Sequence, residues 1–177
     1  MQVVQPIRDL GKIEEIQDIL KRQSMRDCLL FTIGINSGLH LSDLLTLRVR
    51  DLKGKHKVIV REVKTGKEKT FTISNQLGDW IHEYARHMSD EDFLFPSQRT
   101  GRPIKRIRVY RILSGAAKQA GLHDIGTHTL RKTFGFHFYQ KTKNISVLRE
   151  LFNHSAPSVT LKYIGVHVDS RNIPYSI

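Results

Sequence analysis

Cysteine is nearly missing from this sequence, Cys28 being the only one. A single thiol excludes an internal disulfide and any zinc site built from several thiolates. It lies in the apolar run Cys28-Leu-Leu-Phe-Thr-Ile33, where a buried, inert thiol is expected. The nine histidines come without an HExxH motif, a Cys pair or a carboxylate cluster beside them. No metal and no small-molecule cofactor is therefore expected. No apolar stretch reaches membrane-spanning length and no signal-peptide core opens the chain, so the expectation is a cytoplasmic protein with no membrane partner. Repeats, low-complexity tracts and a dividing linker are also lacking, and residues 1–177 read as one domain. Acidic residues are in deficit, 17 against 29 Lys and Arg, which leaves a net charge of +12. That excess suits a polyphosphate partner, since each neutralised phosphate releases condensed counterions. Charge alone does not separate DNA from RNA or from an anionic membrane.

What is present has two hydrophobic periods. Ile13, Ile16, Ile19 and Leu20 recur at helical spacing within 11–22, and 24–37 read as a more buried helix stopped by Gly38. Leu41, Leu44, Leu45 and Leu47 suggest a short helix with its leucines inward. From Lys57 the period changes to two. Val58-Ile-Val60 and Phe71-Thr-Ile73 flank Lys64-Thr-Gly-Lys67, which predicts a β-hairpin with Gly66 free to take positive φ. Helix returns over 75–88 with Leu77, Trp80, Ile81, Tyr84 and Met88 as its stripe, and 89–104 is the long loop candidate. Residues 105–120 predict a two-sided helix: Val109, Leu113, Ala116 and Ala120 inward, with Arg108, Arg111 and Lys118 on the other side. That basic side reads equally well as solvated surface and as phosphate contact. Gly121 stops it. The fold class is mainly α with a small antiparallel β-hairpin.

The chemistry is concentrated in 127–163. His128-Thr-Leu-Arg131 opens a helix expected over 128–141, which puts His128 and Arg131 one turn apart on one side. His154 follows in Leu151-Phe-Asn-His-Ser, and Tyr163 comes nine residues later. Two imidazoles and a guanidinium converging on one phenol suit a phosphodiester under nucleophilic attack. Arginine offers a planar fork to phosphate oxygens, histidine single donors, and tyrosine the nucleophile. Taken singly, each has a plain reading: a half-buried tyrosine, satisfied histidines, an ion-paired arginine. Together, at this spacing on a basic chain, the plain readings are hard to sustain.

The pattern His-x-x-Arg, Leu-x-x-His, then Tyr nine residues on resembles the catalytic domain of the tyrosine recombinases, the phage integrase family. The resemblance extends from the helix at residue 11 to Tyr163. It implies site-specific DNA cleavage and rejoining during integration, excision or inversion of a mobile element. Tyr163 would attack to give a 3′-phosphotyrosyl link, with Arg131 clamping the phosphate, His128 positioning or deprotonating the phenol, and His154 donating to a phosphate oxygen. The family's hairpin lysine, a general acid for the departing 5′ oxygen, matches Lys64 in Glu62-Val-Lys64-Thr-Gly. Lys132, Lys105, Arg108, Arg111 and Lys118 are the DNA-binding candidates. Double-stranded DNA and tetramers of the chain on two duplexes are the implied partners, placing the protein on the nucleoid when bound. The family's N-terminal helical clamp has no counterpart in residues 1–177, so the expectation is either a piece of a longer chain or a short relative with a weaker grip.

One position departs from the family. Where it carries Thr-Gly-Leu-Arg, this chain reads Ser37-Gly-Leu-His40, so His40 replaces the first catalytic arginine. Histidine is shorter, lacks the fork and is only partly charged near neutrality. Losing one preorganised donor costs on the order of a hundred- to a thousand-fold in rate. Slow cleavage is the expectation. A non-catalytic DNA-binding relative occupying recombination sites is the alternative, and a type IB topoisomerase shares the chemistry but not the look of 127–163.

Overall fold

The computed structural model describes residues 4–167. Its framework is helical. Asp9 caps α1 (Leu10–Gln23) by accepting from the amides of Gly11 and Lys12, and Ser24 both ends α1 and caps α2 (Met25–Ser37). Helix α2 is apolar nearly all round and is the buried axis of the domain, as its run of nine buried residues requires. Gly38 ends it at φ 64°, the left-handed cap expected of glycine. Two short helices follow, α3 (Leu41–Leu45) and α4 (Val49–Leu52), the second not foreseen from sequence.

Strands β1 (Lys57–Arg61) and β2 (Glu68–Thr72) pair antiparallel, Val58 opposite Phe71 and Val60 opposite Lys69. Alternation buries Lys69 and Phe71 on one face of β2. Helix α5 (Asn75–Tyr84) stops short of the expected residue 88. The loop after it is pinned rather than free: Leu94 and Phe95 are fully buried, and short bridges join Arg48 to Phe93 and Pro96 to Pro103. Helix α6 (Arg106–Gln119) buries Val109, Leu113 and Ala116, with Ala120 at its end, as its period predicts.

Helix α7 (Thr129–Thr142) carries the His-x-x-Arg motif and packs along α2. The two backbones approach closely because Gly34 faces Leu130 and Gly38 faces Phe134. A Cβ on either glycine would lie within 2.7 Å and 2.4 Å of those side chains. This contact delivers Arg131 to the end of α2. The remaining residues up to Tyr163 fold as α8 (Ile145–Phe152) and α9 (Pro157–Tyr163), parted by Asn153–Ala156. They are held by a separate small apolar cluster of Leu148, Phe152 and Ile164 with Phe134 and Phe138 of α7. Among the described residues no helix is long and apolar enough to cross a membrane, and no group of three or more His, Cys, Asp and Glu is placed to hold a metal ion. By the family resemblance residues 164–177 could dock onto a neighbouring copy, and 168–177 of that tail lie outside the described residues.

Candidate active site

Arg131 is the centre of the site. It is 3% exposed, one turn into α7, and its Nη1 donates to the carbonyl of Gly38. Glu62, at the end of the hairpin's first strand, lies 4.0 Å from the same nitrogen. The guanidinium stacks on the Phe152 ring at 4.2 Å, and Nη2 is left with no acceptor of good geometry in the protein. A buried donor without a partner is costly unless a ligand completes it.

Phe152 is also the platform for the two other groups. Its ring meets those of His154 and Tyr163 edge-on, each at 5.5 Å, and His154 meets Tyr163 at 5.1 Å. The phenol faces Arg131. Burial raises its pKa, and the guanidinium only partly opposes this, so the free site holds a protonated tyrosine. Thr160 Oγ1 lies 3.0 Å from His154 Nδ1. With that hydroxyl donating to Nδ1, the ring proton sits on Nε2 as a donor.

His40 precedes α3 and His128 precedes α7, and both line one pocket of about 200 Å³ together with Arg131, Ser42, Thr127 and Arg106. Burial, then neighbouring cations, pushes the pKa of His40, His128 and His154 down, Arg131 for the first and third and Arg106 for the second. All three are therefore neutral at pH 7. The folded state favours their uncharged forms, so its stability is complete above the ordinary histidine range and is lost as pH falls through and below it. The urea midpoint is expected to drop between pH 7.5 and 5.5, and His40→Gln or His154→Gln should flatten that slope. A slope unchanged in both variants would place the titrating groups elsewhere.

The structure brings together Tyr163, Arg131, His154, His128 and His40. It does not bring Lys64 to them. Lys64 stands exposed in the hairpin turn and, among the described residues, makes no hydrogen bond or ion pair. The hairpin cation beside Arg131 is Lys69, 7% exposed and ion-paired to Glu62. Burial lowers its pKa against the pull of Glu62. Sequence reasoning passed over Lys69, although it stands two residues before Phe71 and so shares its inward face. Glu62 is a hub. Burial would raise its carboxyl, but hydrogen bonds from Lys69 and Thr65 and the nearby cations hold it below the usual range. Asn153, at φ 55°, donates to Glu62 Oε2 at 3.2 Å and accepts from Lys67 at 2.7 Å, tying the hairpin turn to the segment before His154.

Of the expected DNA contacts, Lys105, Arg108, Arg111 and Lys118 are exposed on and before α6. None of them has an acidic partner among the described residues. Arg99, Arg102, Lys105 and Arg108 also line a shallow cavity of about 640 Å³. Lys132 is placed differently: its ammonium donates to the carbonyl of Val4 at 2.8 Å and lies 5.1 Å from the Tyr163 ring. It is a neighbour of the phenol rather than a surface cation.

A buried arginine, two histidines and a tyrosine thus gather from the ends of α7, α8 and α9. Residues 9–170 match the model of the phage integrase family. The chain belongs to that family, the tyrosine recombinases, enzymes that cleave and rejoin DNA strands. It is 48% identical to the probable integrase/recombinase YoeC of Bacillus subtilis over all of this chain and 98% of that one. It is 32% identical to a tyrosine recombinase of Pseudothermotoga lettingae, covering 86% of this chain but only 54% of that one. The fold matches XerH bound to its difH substrate in a pre-cleavage complex (TM-score 0.76, 18% identity, 96% of this chain and 52% of that). It also matches the catalytic domain of bacteriophage HP1 integrase (TM-score 0.64, 22% identity, 91% and 88%).

Proposed function

We propose that this chain carries out site-specific recombination of double-stranded DNA, binding the duplex through the basic side of α6 and cutting one strand with Tyr163. The observation that carries this reading is the Tyr163 phenol packed on His154 and facing the incompletely paired guanidinium of buried Arg131. A nonbridging phosphate oxygen supplies the acceptor that Arg131 Nη2 lacks, and His154 donates to a second oxygen from Nε2. The phenol oxygen bonds to phosphorus as the bond to the 5′ oxygen breaks, leaving a 3′-phosphotyrosyl link. The phenol proton passes to the neutral imidazole of His128, and the departing 5′ oxygen takes a proton from the hairpin lysine, Lys64, once DNA draws the turn inward. Reversal with a new 5′-hydroxyl rejoins the strand, since the covalent link keeps the diester's energy. Multimers on DNA, tetramers at full assembly, perform the exchange between two duplexes. With histidine at position 40 the intrinsic rate is lower than an arginine there would give.

The test is a pool of nicked duplexes with a randomised core, incubated with the protein and resolved in SDS. Wild type is expected to form a covalent adduct whose DNA-bearing peptide contains Tyr163. DNA binding with no adduct would favour the non-catalytic reading that His40 suggests, and relaxation of supercoiled DNA without site preference would favour a topoisomerase.

A further inference from the structure

One cation in the pocket has no role in the scheme above. Arg106, the first residue of α6, lines the same 200 Å³ cavity as His40, His128 and Arg131. Its Nη2 lies 3.2 Å from His128 Nε2 and 3.4 Å from Thr127 Oγ1, and these are its only hydrogen-bond partners among the described residues. The buried cations Lys69 and Arg131 already have counter-charges in Glu62 and Asp43. Arg106 is exposed and has no carboxylate partner among the described residues. Its charge has no protein counter-ion there, and the donors other than Nη2 have no protein partner among the described residues. A guanidinium here reaches the phosphate site from the α6 side, whereas the position before α3 contributes only an imidazole.

We propose that Arg106 supplies to the scissile phosphate the second guanidinium that His40 does not. The inference rests on the recombinase reading. Arg106 holds a nonbridging oxygen opposite Arg131, and its move from His128 Nε2 to the phosphate frees that nitrogen to take the phenol proton. Stand-ins of this kind are coupled: the importance of one depends on the absence of the other.

A four-member set tests it: wild type, Arg106→Ala, His40→Arg and the double variant, each on a duplex recovered from the randomised pool. Adduct formation is measured at saturating DNA, separately from affinity. Arg106→Ala is expected to slow adduct formation about a hundredfold or more with histidine at 40. With arginine at 40 the same change is expected to slow it by less than about tenfold, the difference being the coupling of the two positions. Arg106→Lys, which keeps the charge but not the fork, should fall between. An equal loss in both backgrounds, or a loss of affinity at unchanged rate, overturns the proposal and leaves Arg106 a backbone contact. If wild type forms the adduct and Arg106→Ala matches it, only this inference fails. If wild type forms none, the recombinase reading fails and this one with it.

Discussion

Replacing Glu62 by alanine is expected to cost the folded state about 3–5 kcal/mol, the usual result of removing one partner from a buried ion pair. The carboxylate is 1% exposed. It is paired with Lys69, lies 4.0 Å from Arg131, and accepts from Thr65 and Asn153. Deleting it leaves two buried cations facing each other with only Asp43 as a nearby counter-charge, and neither can reach water without moving the hairpin or α7. Single domains are stable by roughly 5–15 kcal/mol, so the loss is a large share of the total. Equilibrium urea unfolding checks it. Glu62→Gln should recover the packing and some hydrogen bonding but not the charge, and so fall between wild type and Glu62→Ala. An alanine variant within about 1 kcal/mol of wild type would mean that the network is far more hydrated than its burial implies.

Gly38→Ala is expected to be the second severe change. At φ 64° any side chain meets left-handed strain of about 1–2 kcal/mol. The new Cβ would also stand 2.4 Å from Phe134 Cδ1, and relieving such overpacking adds roughly 1–3 kcal/mol. The two costs have separate remedies. Phe134→Leu in the alanine background should relieve the crowding and leave the strain, so the pair should be less destabilised than the sum of the singles. Because the Gly38 carbonyl accepts from Arg131, the same substitution should slow adduct formation by the protein that remains folded. Unchanged stability in Gly38→Ala would show that α2 and α7 pass each other with more room than described.

Much of this was readable in the residues. The periods of α1, α2 and α6, the stop at Gly38 and the hairpin all follow from spacing and turn chemistry. Spacing puts His128 and Arg131 one turn apart, while the convergence of His154 and Tyr163 on them is what the family resemblance implies. Three things were not readable. The 89–104 segment reads as loop because Pro96, Gly101 and Pro103 punctuate it, yet Leu94 and Phe95 are core residues whose burial depends on partners far away in sequence. Lys64 lies in the turn and Lys69 on the inward face of β2, and nothing in the turn motif marks the second as the one that packs beside Arg131. Arg106 carries no sequence signature at all. It reaches the site because α6 and α7 start side by side, a fact of tertiary packing.

The buried ionic groups around the site, Arg131 and Lys69 against Glu62 and Asp43, sum to zero. Apart from the exposed Arg106 guanidinium, such a pocket offers loose anions little net charge. Free phosphate or sulfate would find its attraction largely cancelled and would forgo hydration for little return. A phosphate that arrives as part of a duplex is different, because the outlying lysines and arginines of α6 hold the polymer and the pocket need only recognise one link of it. Selectivity for polymer over salt is thereby built into the charge balance beneath the tyrosine.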